Sequence, residues 1–443
     1  MSARETFGSR LGLLATMVGV AVGLGNVWRF PYMVGLYGGA AFVLLYLVIA
    51  LVVGVPALMA EWSLGRHTRR GSLGAFEGVG FPGGRATGWL LAGIALTALG
   101  YYTNAIGWVV FHALAEVLTP LGRPIDPSAI LPPESGFDPR SFGLQLGFTV
   151  LVLSTQAAIM VRGLRGGIER ASRIITPLLF GTLLVLIVRS VTLDGAGAGL
   201  AWYLSFEPDK VTPSVVVAAL GQVVFSLGLG GTLMVTYGSY LGAGEHIRTD
   251  AALTVVGDTA AGLLAGLAIF PAVFALGLEP GSGPGLLFAT LPRVFAEIPG
   301  GWAFGSLFFG ALSAAALLSG IAAFEVVVAG LCDTLGWTRK RAVAAAGSAA
   351  LVLALPPMVN LVVFVPWDLT FGSGGQTFGA LVAVVAVGWW MRRAHLLEQL
   401  GGPDPSGLDR FLVRWLRWVV PAAVLLATVW WLLTDVLGVI APV

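Results

Sequence analysis

Residues 19–26 read Gly19-Val20-Ala21-Val22-Gly23-Leu24-Gly25-Asn26 and sit in the middle of a charge-poor run from about 11 to 35. A run of that length can cross a bilayer as a helix, which takes about 20 apolar residues. The glycines argue against an unbroken one, because each costs about 1 kcal/mol in a helix interior relative to alanine. Backbone that unwinds within a membrane is tolerated only where it is buried in protein or lines a cavity. The stretch therefore points to a cavity, with tight helix packing through the small residues Gly19 and Gly23 as the alternative. A second stretch of the same kind, Ser226-Leu227-Gly228-Leu229-Gly230-Gly231-Thr232, interrupts the run 213–241.

Working outward, the 443-residue chain is 57% hydrophobic and 11% charged, against roughly 45–50% and 25% in a soluble domain. Its charge-poor runs fall near 11–35, 41–64, 88–119, 142–161, 172–192, 213–241, 250–277, 301–332, 342–364, 371–391 and 412–438, which predicts eleven transmembrane helices in one all-α membrane domain. The first run is too long for a secretory signal and is followed at once by a second span, so it belongs to the mature structure. The polar stretches around 120–140 and 392–411 are loop-sized, rich in proline and glycine, and without hydrophobic periodicity. A single cysteine, Cys332, excludes an internal disulfide, and four scattered histidines offer no metal cluster. The net charge of +2 gives no reason to invoke nucleic acid. Oligomeric state is not legible.

Arginine and lysine collect in alternate loops: Arg4 and Arg10, then Arg66, Arg69, Arg70 and Arg85, then Arg162, Arg165, Arg170 and Arg173, and later Arg339, Lys340 and Arg341. By the positive-inside rule the N-terminus is cytoplasmic, and eleven spans leave the C-terminus outside. A bacterial cytoplasmic membrane is the expected location.

The two glycine breaks fall in spans one and six, five helices apart, the placement expected of two structural repeats whose discontinuous helices meet at a midplane site. The repeats would cover about 10–192 and 213–393, with an additional helix at about 412–438. Polar residues gather beside the breaks: Asn26 and Arg29 after the first, Gln222 and Ser226 at the second, and Asp258 about two turns into span seven. An ionisable group in lipid is costly enough to imply a partner or a pathway. Half-helices ending at mid-membrane offer free N–H groups to an anion and free carbonyls to a cation, which suits a solute carrying both a carboxylate and an amine. Oxygen ligands for a hard cation are at hand in the Ala21 and Val22 carbonyls, the Asn26 amide and the Ser226 and Ser319 hydroxyls.

The string Arg10-Leu-Gly-Leu, Gly23-Leu-Gly-Asn-Val-Trp-Arg-Phe-Pro31, Gly38-Gly-Ala-Ala-Phe42 and Glu61-Trp62-Ser63-Leu64-Gly65-Arg66, continued in Tyr101-Tyr102, Gly221-Gln222, Phe225-Ser226, Thr236-Tyr237-Gly-Ser-Tyr240 and Arg339-Lys340-Arg341, resembles the neurotransmitter:sodium symporter family over nearly the whole chain. The resemblance implies a leucine-transporter-type fold of 5+5 inverted repeats and sodium-coupled uptake of an amino acid by alternating access. It implies that Ala21 and Gly25 contact the substrate's charged groups, that Tyr102 bonds its carboxylate, and that Phe225 closes the pocket. It also implies a substrate site that includes Ser226 and Ser319, and a side-chain subsite of Ala98, Gly228, Gly231 and Ala323. One sodium would take Ala21, Asn26, Ser226 and Asp258, and a second Gly19, Val22, Ala315 and Ser319. Arg29 with Asp368 would form the extracellular gate, and Arg4 with Asp333 the intracellular one.

Gly23 stands where monoamine carriers of that family have an aspartate, which favours a substrate bringing its own carboxylate. Gly231, with Ala98 and Gly228, suggests room for a large apolar or aromatic side chain. Leu318 replaces a hydroxyl of the second sodium site, so one or two sodium ions are expected. Asp258 replaces the family's commoner asparagine, and its fixed charge predicts that chloride is not required. Glu325 in span eight is a candidate for pairing on the cytoplasmic side. The competing classes are a proton-coupled carrier working through Asp258, a transporter-like sensor or channel, and a membrane enzyme, for which no nucleophile–base grouping is evident.

Overall fold

A computed structural model describes residues 5–281 and 286–437, and every element of regular structure among them is helical. The first predicted span is a pair, α1 (Arg10–Ala21) and α2 (Gly25–Leu36), bent by 53° at the glycine break. Then come α3 (Ala40–Thr68), α4 (Gly84–Leu121), α5 (Pro139–Met160) and α6 (Leu164–Val191). The sixth span is also split, into α7 (Pro213–Ser226) and α8 (Leu233–Gly238). The remainder are α9 (Ile247–Ala275), α10 (Gly301–Leu335), α11 (Arg339–Met358), α12 (Leu361–Trp390) and α13 (Gly407–Thr434). Among the described residues nine helices are long and apolar enough to cross a membrane, ten if the bent pair counts as one.

Local chemistry sets several helix ends. The Ser9 hydroxyl accepts the Gly12 amide at 3.0 Å to start α1, Asp138 caps α5 through the Arg140 amide at 2.9 Å, and Ser406 and Asp409 form a reciprocal capping box on α13. Of the two breaks, Val22 turns to extended backbone at the end of α1, while Gly228 and Gly231 adopt φ of +60° and +66° between α7 and α8. Positive φ is open to glycine at little cost and strained for other residues.

Two expectations are corrected. The ninth and tenth runs divide at Val359–Asn360, not near 365–370, because Pro356 and Pro357 end α11 and Asn360 caps the next helix by accepting the Val363 amide at 3.1 Å. Asp368 therefore lies inside α12, where the helix widens to a π-type turn over Asp368–Gly374. The polar stretch 392–411 also contains a helix, Arg393–Gly401, which buries Leu396 and Leu400 against its neighbours. Leu396, Leu397 and Leu400 make little more than one helical turn of apolar pattern, too short to stand out among the flanking polar residues.

Burial orders the helices. In α4 and α10, 72% of the most apolar window is inside the protein, against 22% in α13. The first two pack along one another at the centre, beside the breaks, and α13 faces outward with one buried stripe of Val413, Leu416, Val420, Val424 and Ala427.

Candidate functional site at the two helix breaks

The end of α2 nearest the break and the end of α7 meet over α9. Asn26 Nδ2 donates to Asp258 Oδ1 at 2.7 Å, to the Asp258 carbonyl at 2.9 Å and to Ser226 Oγ at 2.9 Å. Ser226 Oγ lies 3.0 and 2.9 Å from the two carboxylate oxygens, and the Tyr46 hydroxyl from α3 reaches Oδ2 at 3.1 Å. Asp258 is fully buried, so its charge is carried by three donors from three other helices. Asn26 Oδ1 accepts the Gly23 amide at 3.2 Å, and Gln222 Nε2 donates to the Gly25 carbonyl at 2.9 Å, so both side chains also brace the first break.

A cavity of about 80 Å³ opens beside this cluster, lined by Ala21, Gly25, Ala98, Tyr102, Phe225, Ser226, Gly228, Ser319 and Ala323 among others. Every expected substrate residue but one therefore faces a common space. The exception is Gly231, whose neighbours Gly230 and Thr232 line the cavity instead. A Cβ at Gly231 would lie 2.8 Å from the Gly379 carbonyl and 3.2 Å from Leu91 and Phe76, which places its open side against α12 and α4. The cause is Glu61: its Oε1 accepts the amides of Gly230 at 2.8 Å and Gly231 at 2.9 Å, fixing the direction of the loop.

Of the residues expected at a second ion, the Ser319 hydroxyl reaches the carbonyls of Val20 at 3.2 Å and Val22 at 3.3 Å. Ala315 is buried in the same apolar cluster as Val22, and Gly19 lies tight against Thr176 and Leu318, with no room for a Cβ. Tyr102 Oη accepts the Leu24 amide at 3.4 Å, so α4 and α10 both reach the first break.

Arg29 and Asp368 sit on the other side of Phe225. The Arg29 guanidinium lies 4.2 Å from the centre of the Phe225 ring, and Asp368 shares the space beside Gly372 with the Tyr101 hydroxyl. No direct Arg29–Asp368 ion pair occurs among the described residues: each is occupied by an aromatic side chain. Phe225 and Gln376 border both the central cavity and a second one of about 480 Å³ that Arg29 lines. Arg4 lies outside the described residues, and Asp333 accepts the Gly71 amide at 3.3 Å. Glu325 is fully buried, paired with Arg339 at 2.7 Å and bonded by the Tyr240 hydroxyl at 2.5 Å.

Sequence reasoning gave no role to Tyr46, Glu61 or Gln376. Glu61 carried a legible signal, a carboxylate within an otherwise uncharged run, the same signal that marks Asp258.

The comparisons with known proteins agree with this architecture. The model of the sodium:neurotransmitter symporter family matches residues 4–122 and 142–431. A sodium-dependent transporter of Haemophilus influenzae is 32% identical, over 95% of this chain and 97% of its own. The sodium-dependent serotonin transporter of Drosophila melanogaster is 28% identical, over 91% and 73%. The crystal structure of MhsT in complex with L-phenylalanine superposes with a TM-score of 0.84 at 32% identity, covering 96% of this chain and 99% of that one. A buried oxygen-rich cluster at paired helix breaks, in a chain matched over nearly its whole length, leaves one assignment: this chain belongs to the sodium:neurotransmitter symporter family, multi-pass membrane transporters and not enzymes.

Proposed function

We propose that this chain takes up an amino acid with a large apolar or aromatic side chain, driven by sodium, through alternating access at the cavity between the two breaks. The observation that carries the reading is the convergence of Asn26, Ser226 and Asp258 directly behind the cavity wall, which Ser226 lines. Carboxylate, amide and hydroxyl oxygens are the ligands a hard cation prefers, and Ala21 adds a carbonyl from the same wall. An arriving sodium competes with Asn26 Nδ2 for Asp258 Oδ1 and is held by the amide oxygen once the amide turns over. The amino-acid carboxylate then meets Tyr102 and the freed backbone of the first break. The ion and the solute stabilise the same occluded state, which couples them by linkage.

Gly23 supports a zwitterionic substrate: a Cβ there would collide with Ser319 Oγ and sit 3.0 Å from Tyr102 Oη, so the site has no space for an amine-binding side chain. The large apolar side chain rests on the lining by Leu91, Ile94, Ala98, Gly228 and Ala323, and on the L-phenylalanine named with MhsT. A second sodium is assigned to Gly19, Val22, Ala315 and Ser319. Arg29, Phe225 and Asp368 serve as the outer gate, while Arg4 with Asp333 serves as the inner one. The fixed charge of Asp258 removes the need for chloride. The N-terminus is placed in the cytoplasm and the C-terminus outside a bacterial cytoplasmic membrane, with repeats at about 10–192 and 213–393.

The test is uptake of a panel of labelled amino acids into proteoliposomes under an inward sodium gradient, against a potassium control at fixed pH and potential. Sodium-dependent accumulation of aromatic or large apolar amino acids is expected, indifferent to chloride. Uptake driven by a pH gradient and blind to sodium would replace this reading with proton coupling at Asp258, which the apolar Leu318 at the second ion site favours. Binding without counterflow would make the protein a sensor.

A further inference from the structure

We propose that the junction between the end of α12 and the start of α13 is a binding site for the headgroup of an anionic phospholipid. Two parallel stripes run along the first turns of α13: Arg410, Arg414 and Arg417, and beside them Phe411, Trp415 and Trp418, each at positions i, i+4 and i+7. The three arginines, Phe411 and Trp418 are exposed, while Trp415 is half-buried with its indole N–H donated to the Val52 carbonyl at 2.8 Å; the inward stripe is Val413, Leu416 and Val420. At the top of the stripes Trp389, from the last turn of α12, donates its indole N–H to the Arg417 carbonyl at 2.9 Å. Trp389 also meets Trp418 edge to face at 5.0 Å. The Arg417 guanidinium lies 5.5 Å from the Trp389 ring and 5.9 Å from Trp418, held on its stem between two half-exposed indoles.

These cations have no anion of their own. The side chains of Arg392, Arg393, Arg414 and Arg417 make no ion pair or hydrogen bond among the described residues, and Arg410 reaches only the Ser406 carbonyl at 3.5 Å. The one carboxylate on α13, Asp409, is buried and paired with Arg248 at 2.9 Å, and Glu398 in the connecting helix faces Arg66 and His67. Tryptophan pairs mark the depth of lipid headgroups, and a planar guanidinium presents two parallel donors to a phosphate. Aromatic rings and unpaired arginines side by side on one exposed helix face, next to the Trp389 indole, fit a lipid phosphate with its chains attached better than a free ion. The arginine excess next to a membrane span has the same complementarity for anionic headgroups.

The test is lipid retention. Protein purified in detergent is exchanged into mixed micelles of phosphatidylglycerol and phosphatidylcholine at equal amounts, and the lipid that co-elutes is extracted and quantified by mass spectrometry. Wild type should retain phosphatidylglycerol at least about tenfold over phosphatidylcholine, and the Arg414→Gln/Arg417→Gln variant should lose about tenfold of it. Arg85→Gln, the same kind of change elsewhere, should lose none. Equal retention of both lipids, an unaltered preference in the double variant, or displacement by millimolar inorganic phosphate would overturn the assignment. Should the double variant not fold, Arg417→Lys tests the same point: it keeps the charge and loses the fork, so a preference undiminished in it also counts against the site.

Discussion

The two helix breaks are held open by different means. The break between α1 and α2 is three residues long and is braced on several sides by side chains: Asn26, Ser319 and Tyr102 bond to its backbone, and Gln222 bonds the Gly25 carbonyl at the start of α2. The break between α7 and α8 is twice as long, Leu227–Thr232, and its turn is fixed through a single carboxylate, Glu61, on two successive amides. In the first, one of the residues that hold the backbone, Asn26, also belongs to the ion cluster. In the second none does, since Glu61 is remote in role from Asp258. Sodium should therefore act through the first break, while a disturbance confined to the second should change solute binding and leave the sodium response in place, a division that substitution can test.

The largest effect is expected from Asp258→Ala, which leaves the Asn26, Ser226 and Tyr46 donors without their shared acceptor. Breaking a buried charged network costs about 3–5 kcal/mol, so sodium-driven uptake should fall by two orders of magnitude or more in proteoliposomes. Asp258→Asn should recover part of that uptake only when chloride is supplied, and an unaltered sodium response in either variant would detach the first break from the ion.

Glu61→Ala comes next. Two buried amides lose their acceptor, at about 1–3 kcal/mol for an unsatisfied group. Solute affinity measured at saturating sodium should drop roughly tenfold to a hundredfold by the same principle, with the sodium half-saturation much less affected. If both constants move together, the two breaks act as one unit and the division fails.

Gly231→Ala sharpens the structural half of the contrast. It forces a side chain into left-handed backbone with φ of +66° and a carbonyl 2.8 Å away, costing about 1–2 kcal/mol. The expected readout is a lower thermal midpoint in detergent, with solute selectivity unchanged because the position does not line the cavity. A switch in selectivity instead would return Gly231 to the side-chain subsite.

The smallest effect belongs to Tyr46→Phe, which removes one of the donors on Asp258 at about 1 kcal/mol. A sodium half-saturation raised about fivefold, with solute affinity at saturating sodium preserved, would place Tyr46 with the first break; no change would make its hydroxyl incidental to the ion.

The amino-acid sequence alone determined the solvent, most of the apolar helices and the two breaks. Charge-poor runs of bilayer length are sums over neighbouring residues, so each is legible without its partners, and the glycines of 19–25 and 228–231 weaken helix wherever they stand. Asn26, Ser226 and Asp258 announced themselves because a polar group in lipid is too costly to be idle. Tertiary structure alone decided directions and pairings. Gly231 turns from the cavity because Glu61, 170 residues away in the chain, takes its amide, and Tyr46 joins Asp258 across 212 residues. Asp368 moves from a loop into a helix, and Arg29 settles on the Phe225 ring. Hydropathy carries no information on which way a glycine faces or which donor a buried carboxylate takes, since both follow from how helices far apart in sequence pack against one another.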